Sequence, residues 1–381
     1  MRIAYLGDPN NLHTRRWVNF FVNRGHACAV FCDPPVLRPF EGVEIICPQM
    51  SLLRKAIAFK LIHHPYSNNF FKAGPYRSAV AHWRPDIVHG FEALAYGYAT
   101  AACRRRPTVL TPWGNDLFDW PKSSKVARFL VRRALKGAWK ISTNAPGLEA
   151  YLEREYGVPR EKVDCFSWGV DLRTFQPGLE EEAAAFGKRH EIPAAARVIL
   201  SPRMMKPYWG VGLIAEALGA MVERLGPRTV AVFLRGFGSA DYERELRRGV
   251  ESRGLAAHAR FIDERLSPSD MAAAFNRADV FLSLRETDLL AVTILEGMAC
   301  GCVPILADLP FYHQRVEDGR NGFYLRTRNA DGVAEAVGRA FENPDRLNEM
   351  ERVNTALIAE KDDWLTCAKR METLYERLVK R

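Results

Sequence analysis

The sequence lacks most of the features that would settle its class at once. No apolar run approaches the roughly 18–20 residues of a membrane span, so no transmembrane segment is expected. The start, MRIAYLGDPNN, has no basic stretch followed by an apolar one, and no secretory leader is expected. Eight cysteines are scattered, and only Cys300 and Cys302 lie close together. C-G-C is not a zinc spacing and no second pair accompanies it, which points to a reduced, cytoplasmic protein without a structural metal. Low-complexity segments and short solenoid repeats are missing. The first strand is not followed by G-x-G-x-x-G, which argues against a nicotinamide dehydrogenase. Zinc-finger, RRM and KH signatures are missing too, so a nucleic-acid partner would rest on charge alone and is not expected.

What is present is a globular composition, with 48% hydrophobic and 26% charged residues in 381. That length suits two cores better than one. The net charge of +9 is uneven. Residues 1–177 carry 25 Lys and Arg against 14 Asp and Glu, and residues 178–381 carry 29 against 31. The first half therefore faces something anionic or simply has a basic, solvated surface.

Short β-branched runs alternate with helical stretches along the whole chain. The first half has strands at 2–7, 27–32, 43–47, 86–90, 108–114, 140–144 and 163–168. The second has them at 197–202, 229–236, 259–263, 279–284, 303–308 and 322–325. A helix between the first two, 15–25, stops at Gly25. Such alternation predicts parallel sheets covered on both faces. The expectation is an α/β protein of two doubly wound domains, 1–175 and 176–362, with a C-terminal helix at 363–381 packing back on the first. Ligands of open parallel sheets lie beyond the carboxyl ends of the strands, so the cleft between two facing domains is the expected site.

One stretch stands out there, DLLAVTILEGMACGCVP at 288–304. Asp288 precedes a helix that begins near Ala291, and Glu296 sits one to two turns inside it. A helix start aims free N–H groups and a positive dipole end at an anion. Eight residues of helix rise about 12 Å, the scale of a nucleotide diphosphate sugar from ribose to hexose. The alternative is a helix acid paired with an arginine, and Asp288 as a cap. Arg203 and Lys206 in SPRMMKPYWG (201–210) supply the cations that a diphosphate needs.

At this point the residues resemble a family, the retaining glycosyltransferases of family 4 with the GT-B fold, over nearly the whole chain. DLLAVTILEGMACGCVPI is similar to the E-x7-E signature and its following E-A-M-A-x-G-x-P-V. SPRMMKPYWGVGLIAEAL resembles the G-R-x-x-x-x-K-G phosphate-binding stretch. GDPNNLHTRRWVNFFVNRGHACAV, WGVDLRTFQP and VEDGRNGFYL resemble further motifs of that family. Three positions depart from it. Asp288 stands where most members have Glu, Trp113 where many have His, and Tyr208 at the usual Lys position with Lys206 two residues earlier.

The resemblance implies two Rossmann-like domains facing across a cleft. It implies a hexosyltransferase that moves a sugar from a nucleotide diphosphate donor, of UDP or GDP type, with retention at the anomeric carbon and without a metal or other cofactor. Arg203 and Lys206 would stabilise the departing diphosphate and Asp288 the reacting sugar. Glu296 would take the ribose, Leu289, Leu290 and Ala291 would present the helix start, and Ile262 and Gly236 would lie by the base. His13, Arg15, Asn115 and Asp116 would face the sugar and the acceptor. The acceptor would be a glycan, a lipid-linked or a small molecule, in cell-envelope polysaccharide or glycoconjugate synthesis. An epimerase of the same fold and a non-catalytic nucleotide-sugar binder are the alternatives.

Two basic stretches extend the expectation to a peripheral site on an anionic inner membrane face. They are 51–64, with Arg54 and Lys55, and 122–140, with Lys125, Arg128, Arg132, Arg133 and Lys136. The alternative for 122–140 is a domain helix whose apolar stripe packs inward and whose cations are solvated.

Overall fold

The computed structural model describes residues 1–49 and 67–380. The basic stretch 51–64, with Arg54 and Lys55, thus lies outside the described residues. The chain forms two compact units, Met1–Ser167 with Cys367–Arg381, and Trp168–Thr366.

The sheet of the first unit has seven parallel strands: β1 (Arg2–Leu6), β2 (Ala27–Phe31), β3 (Glu44–Ile46), β4 (Ile87–Phe91), β5 (Thr108–Thr111), β6 (Lys140–Thr143) and β7 (Val163–Cys165). Their order is β3-β2-β1-β4-β5-β6-β7. The second sheet has six: β8 (Arg197–Ser201), β9 (Thr229–Leu234), β10 (Ala259–Ile262), β11 (Val280–Ser283), β12 (Val303–Leu306) and β13 (Phe323–Tyr324), in the order β10-β9-β8-β11-β12-β13. All its pairings are parallel as well. Both sheets are doubly wound, reversing between β1 and β4 and between β8 and β11.

Burial explains why apolar runs rather than alternating ones make these strands. All of β4 and β9 is buried, as in a sheet covered on both faces. In β8 the side chains divide by period two. Val198 and Leu200 join a core with Phe275 and Met298, and Ile199 joins the opposite one with Leu218 and Val337.

Caps and apolar stripes fix the helices. The first, α1 (Leu12–Asn23), starts three residues before the expected 15 because the Asn11 side chain accepts the His13 amide at 2.8 Å. The basic helix α2 (Lys125–Gly137) is capped by Ser124. Its Ala127, Leu130, Val131, Ala134 and Leu135 are buried, while Lys125, Arg128, Arg132, Arg133 and Lys136 are exposed. The apolar stripe is therefore core. In the second unit α3 (Val211–Leu225) follows β8, and α4 (Val292–Ala299) follows β11.

The last helix, α5 (Trp364–Val379), lies mostly in the first unit. Its Tyr375 stacks on Phe21 at 4.9 Å and hydrogen-bonds His89, which also meets Thr111 at 2.6 Å. Burial lowers His89 to about 3, so the imidazole is neutral there. Glu372 accepts from Arg24 at 2.8 Å, and Arg377 reaches Asp164 at 2.7 Å.

The first long passage of the chain into the second unit comes after Ser167, eight residues before the expected 175. Backbone pairing sets it there. Val170 donates to the Asp362 carbonyl at 2.7 Å, and Trp364 donates to the Val170 carbonyl at 2.9 Å. Phe175 then enters the core of the second unit. Gly169, at φ +67, makes this closeness feasible, since a Cβ there would stand 2.7 Å from Trp364 Cα.

Candidate functional site

In the second unit the reversal between β8 and β11 leaves a crevice at their carboxyl ends, the usual ligand position of such a sheet. Two loops enter it. The loop after β8 runs through Arg203 and Lys206 to a short turn at Pro207–Trp209, and Gly210 joins it to α3. The loop after β11 runs from Leu284 to Ala291, where α4 begins. Gly210 brings the loops together, because a Cβ there would lie 2.2 Å from the Leu284 carbonyl oxygen. Its φ of +77 is also a conformation that glycine adopts without strain.

The two loops meet in a buried charged cluster. Arg203 donates through Nη2 to Asp288 Oδ2 at 2.7 Å, and the Tyr312 hydroxyl donates to the same oxygen at 3.0 Å. Arg285 Nη1 stands 3.7 Å from Asp288 Oδ1. Both guanidiniums lie over the Trp209 ring, Arg203 at 4.7 Å and Arg285 at 4.3 Å from its centre. Arg203, Arg285, Asp288 and Tyr312 are all buried. Burial and the Asp288 charge push the Tyr312 phenol well above its usual range, which keeps it a donor.

The remaining donor-side residues fall around this cluster. Leu289 and Leu290 are buried, and Ala291 is the N-cap of α4 in extended conformation. Alanine has no side-chain acceptor, so the N-cap residue itself gives that helix start no side-chain cap. Glu296 is half-buried in the second turn of α4. Lys206 is half-buried and makes no ion pair among the described residues. Gly236 belongs to a loop latched onto the Arg203–Lys206 loop, through Met205 N to Arg235 O at 3.3 Å and Ser239 N to Met205 O at 3.0 Å. Ile262, expected by the base, is the last residue of β10. Its side chain is core, and its carbonyl accepts the Arg235 amide at 2.9 Å.

In the first unit the loops beyond β1, β4 and β5 hold the other expected residues, and two of them are turned inward. Asp116 is fully buried, and its carboxylate accepts the amides of Ala93, Trp113 at 2.9 Å and Gly114 at 2.8 Å. It shapes the loop rather than facing a sugar. Burial raises it to about 6 against the pull of those amides. Arg15 spends its guanidinium on the carbonyls of Pro9, Arg38 and Pro39 and lies over Phe40 at 4.2 Å. It ties two loops together instead of presenting a cation.

His13 is half-buried with its ring 6.1 Å from that of Trp113. Desolvation, with Arg16 nearby, lowers it to about 4, so it is neutral near pH 7. Asn115 is half-buried at the start of the short helix after Gly114.

Sequence reasoning missed Tyr312, and it gave no individual role to Arg285, Trp209 and Glu92, which lie in the loops at the carboxyl ends of strands that it singled out. Glu92 follows β4 with φ +64, an uncommon conformation for a side-chain-bearing residue. Burial, with Asp116 close by, raises it to about 8. A non-glycine residue at the carboxyl end of a central strand was its only visible signal.

Among the described residues there is no group of three His, Cys, Asp or Glu side chains that could hold a metal ion. No described helix is long and apolar enough to cross a membrane. Cys300 and Cys302 are buried at the other end of the second sheet. They line a cavity with Arg197, Asp279 and Val303, at the amino ends of β8, β11 and β12.

Comparison with known proteins bears on both units. Residues 2–145 match the family described as Glycosyl transferase 4-like, and residues 184–356 match Glycosyl transferases group 1. A D-inositol 3-phosphate glycosyltransferase of Paenarthrobacter aurescens is 23% identical over 233 residues, 61% of this chain and 56% of that protein. The chain spans little more than half the length of such curated relatives. Among solved structures, sucrose-phosphate synthase from Thermosynechococcus elongatus superposes with a TM-score of 0.81 at 17% identity, over 99% of each chain. Anabaena HepE in complex with UDP-glucose superposes with a TM-score of 0.78 at 18% identity, over 99% of this chain and 100% of that one.

Proposed function

Because the chain belongs to the GT-B glycosyltransferases of family 4, we propose that it moves a sugar from a nucleotide diphosphate donor to a glycan, lipid-linked or small-molecule acceptor. The observation that carries this is the buried pairing of Arg203 with Asp288, in the loop that leads into α4, at the reversal of the second sheet. A departing diphosphate gains negative charge, and fixed donors in a buried site stabilise it without reorganising. Arg203, Lys206 and the first amides of α4 have that character. Glu296, further along α4, would accept two ribose hydroxyls in this reading. Asp288 would hold the reacting sugar, and the anomeric configuration would be retained with no metal taking part.

The nucleotide is of UDP or GDP type in this reading, and HepE, with its bound UDP-glucose, makes UDP-glucose the first donor to try. The relative named for inositol 3-phosphate puts an inositol phosphate among the first acceptors. Calorimetry with UDP, GDP, ADP and dTDP should find one tight binder. Glu296→Ala should weaken that nucleotide about 10- to 100-fold, the loss of one or two hydrogen bonds to a charged group. Nucleoside diphosphate release should require an acceptor. Release or isomerisation of the donor without one would favour the epimerase, and binding without turnover would favour the non-catalytic relative.

We also place the protein in the cytoplasm, held at the inner membrane face through α2. The support is the row of exposed cations Lys125, Arg128, Arg132, Arg133 and Lys136, with Phe129 exposed among them. Vesicles containing anionic lipid should float the protein, and the replacement of Arg128, Arg132 and Arg133 by Glu should abolish it. Equal flotation with neutral vesicles would remove this part of the proposal.

A further inference from the structure

The first sheet also reverses its order, between β1 and β4. An open parallel sheet takes a ligand beyond the carboxyl ends of its strands at such a reversal. On β4 the residue that stands there is Glu92, one position past Phe91, the last of the strand. Its φ of +64 is a conformation that a side-chain-bearing residue seldom adopts. Such strain persists only where the surroundings enforce it. Here the next residue, Ala93, gives its amide to the buried Asp116 carboxylate, which also holds the amides of Trp113 and Gly114. Asp116 thereby ties the turn at Glu92 to the loop after β5.

That loop brings an aromatic wall. Trp113 is half-buried, its ring 6.1 Å from that of Phe91 and 6.1 Å from that of His13. An indole in a crevice with a few polar groups beside it is the ordinary make-up of a small-molecule site. Glu92 is the polar group. It is half-buried, and its carboxyl has no hydrogen bond or ion pair among the described residues.

The charges around Glu92 limit what it can take. Burial, the largest influence, raises it to about 8. Asp116 and Asp8 add to this, and Lys72 opposes it. Near pH 7 the group is therefore mostly protonated, and it donates one hydrogen bond and accepts another. A sugar hydroxyl can answer both. A phosphate calls for a cation instead. The cation that acts on Glu92 is Lys72, and its ammonium is docked on Asp33 at 2.8 Å. We propose that Glu92 binds a ring hydroxyl of the acceptor, with Trp113 against the ring, and that this part of the acceptor is an uncharged sugar or polyol. This rests on the sugar-transfer reading above.

The test measures acceptor-dependent release of nucleoside diphosphate from the glucose donor of the base that binds best. The acceptors are myo-inositol and glucose, each alongside its monophosphate. The proteins are the wild type, Glu92→Ala and Glu92→Gly. Glycine takes a φ of +64 without strain, so Glu92→Gly carries the comparison if Glu92→Ala does not fold. The wild type should use an uncharged acceptor in preference to its phosphate. Each replacement should raise the KM for that acceptor about 10-fold, the loss of two ordinary hydrogen bonds. Calorimetric affinity for the nucleoside diphosphate should stay unchanged. An unchanged acceptor KM would overturn the proposal, and so would a wild type that uses only the phosphates. An equal loss of nucleoside diphosphate affinity would overturn it too, because Glu92 would then serve the donor or the fold. Nucleotide binding with no release on any acceptor would instead overturn the sugar-transfer reading itself.

Discussion

Arg203→Ala is expected to lose turnover about 10²- to 10³-fold, the usual cost of removing a fixed donor from developing charge, and to melt at a lower temperature than the wild type. The two losses have different causes. Turnover falls because the guanidinium no longer meets the leaving diphosphate. Stability falls because Asp288 is left buried, 7% exposed at its side chain, without its closest cation. Breaking one half of a buried pair costs roughly 3–5 kcal/mol. In a unit of this size that lowers the melting temperature by roughly 10 °C. The pair itself contributes less than that, because both partners were desolvated to form it. Arg203→Met combined with Asp288→Asn should therefore regain most of the melting temperature and none of the turnover. Thermal melts and acceptor-dependent release of nucleoside diphosphate would separate the effects. An Arg203→Ala protein with full turnover would remove the diphosphate from this crevice.

Much of that cluster was hidden in the sequence, although the frame around it was not. Parallel strands announce themselves because both faces are buried, and every expected strand has a counterpart within a few residues. The differences sit at the ends. The run at 108–114 stops pairing at Thr111, since Pro112 has no N–H to give and Gly114 turns away at φ +107. Asp288 and Glu296 were legible through their spacing around a helix start. Arg285 lay in a strand-end loop that the sequence singled out, but nothing in RETD gave it a role of its own. Only the pairing of β11 with β8 puts it beside Arg203, 82 positions away. Arg15 and Asp116 were misread for the opposite reason. Their partners are backbone carbonyls and amides, and side-chain chemistry in a sequence says nothing about which backbone groups will need satisfying.

Removing residues 367–381 is expected to unfold the first unit while the second keeps its fold and its nucleotide affinity. The deleted stretch is most of α5, and its inner face belongs to the core of the first unit. Met371, Leu374, Tyr375 and Leu378 are each at most 2% exposed. Burying a large apolar side chain contributes roughly 1.5–3 kcal/mol, so these four together contribute about 6–12 kcal/mol. That is comparable to the entire stability of a domain, about 5–15 kcal/mol. Truncation also strips polar partners from groups that stay behind. His89 is fully buried and keeps Thr111 but loses the Tyr375 hydroxyl. Arg24 and His26 lose Glu372. The second unit loses little by comparison, because the backbone bonds from Val170 to Asp362 and Trp364 lie before the cut. Calorimetry should show one of two unfolding transitions missing. Proteolysis should digest residues 1–167 while nucleoside diphosphate affinity persists. A truncated protein with both transitions intact would mean that the first sheet holds without α5. The apolar surface of Phe21 and its neighbours would then have to be covered some other way.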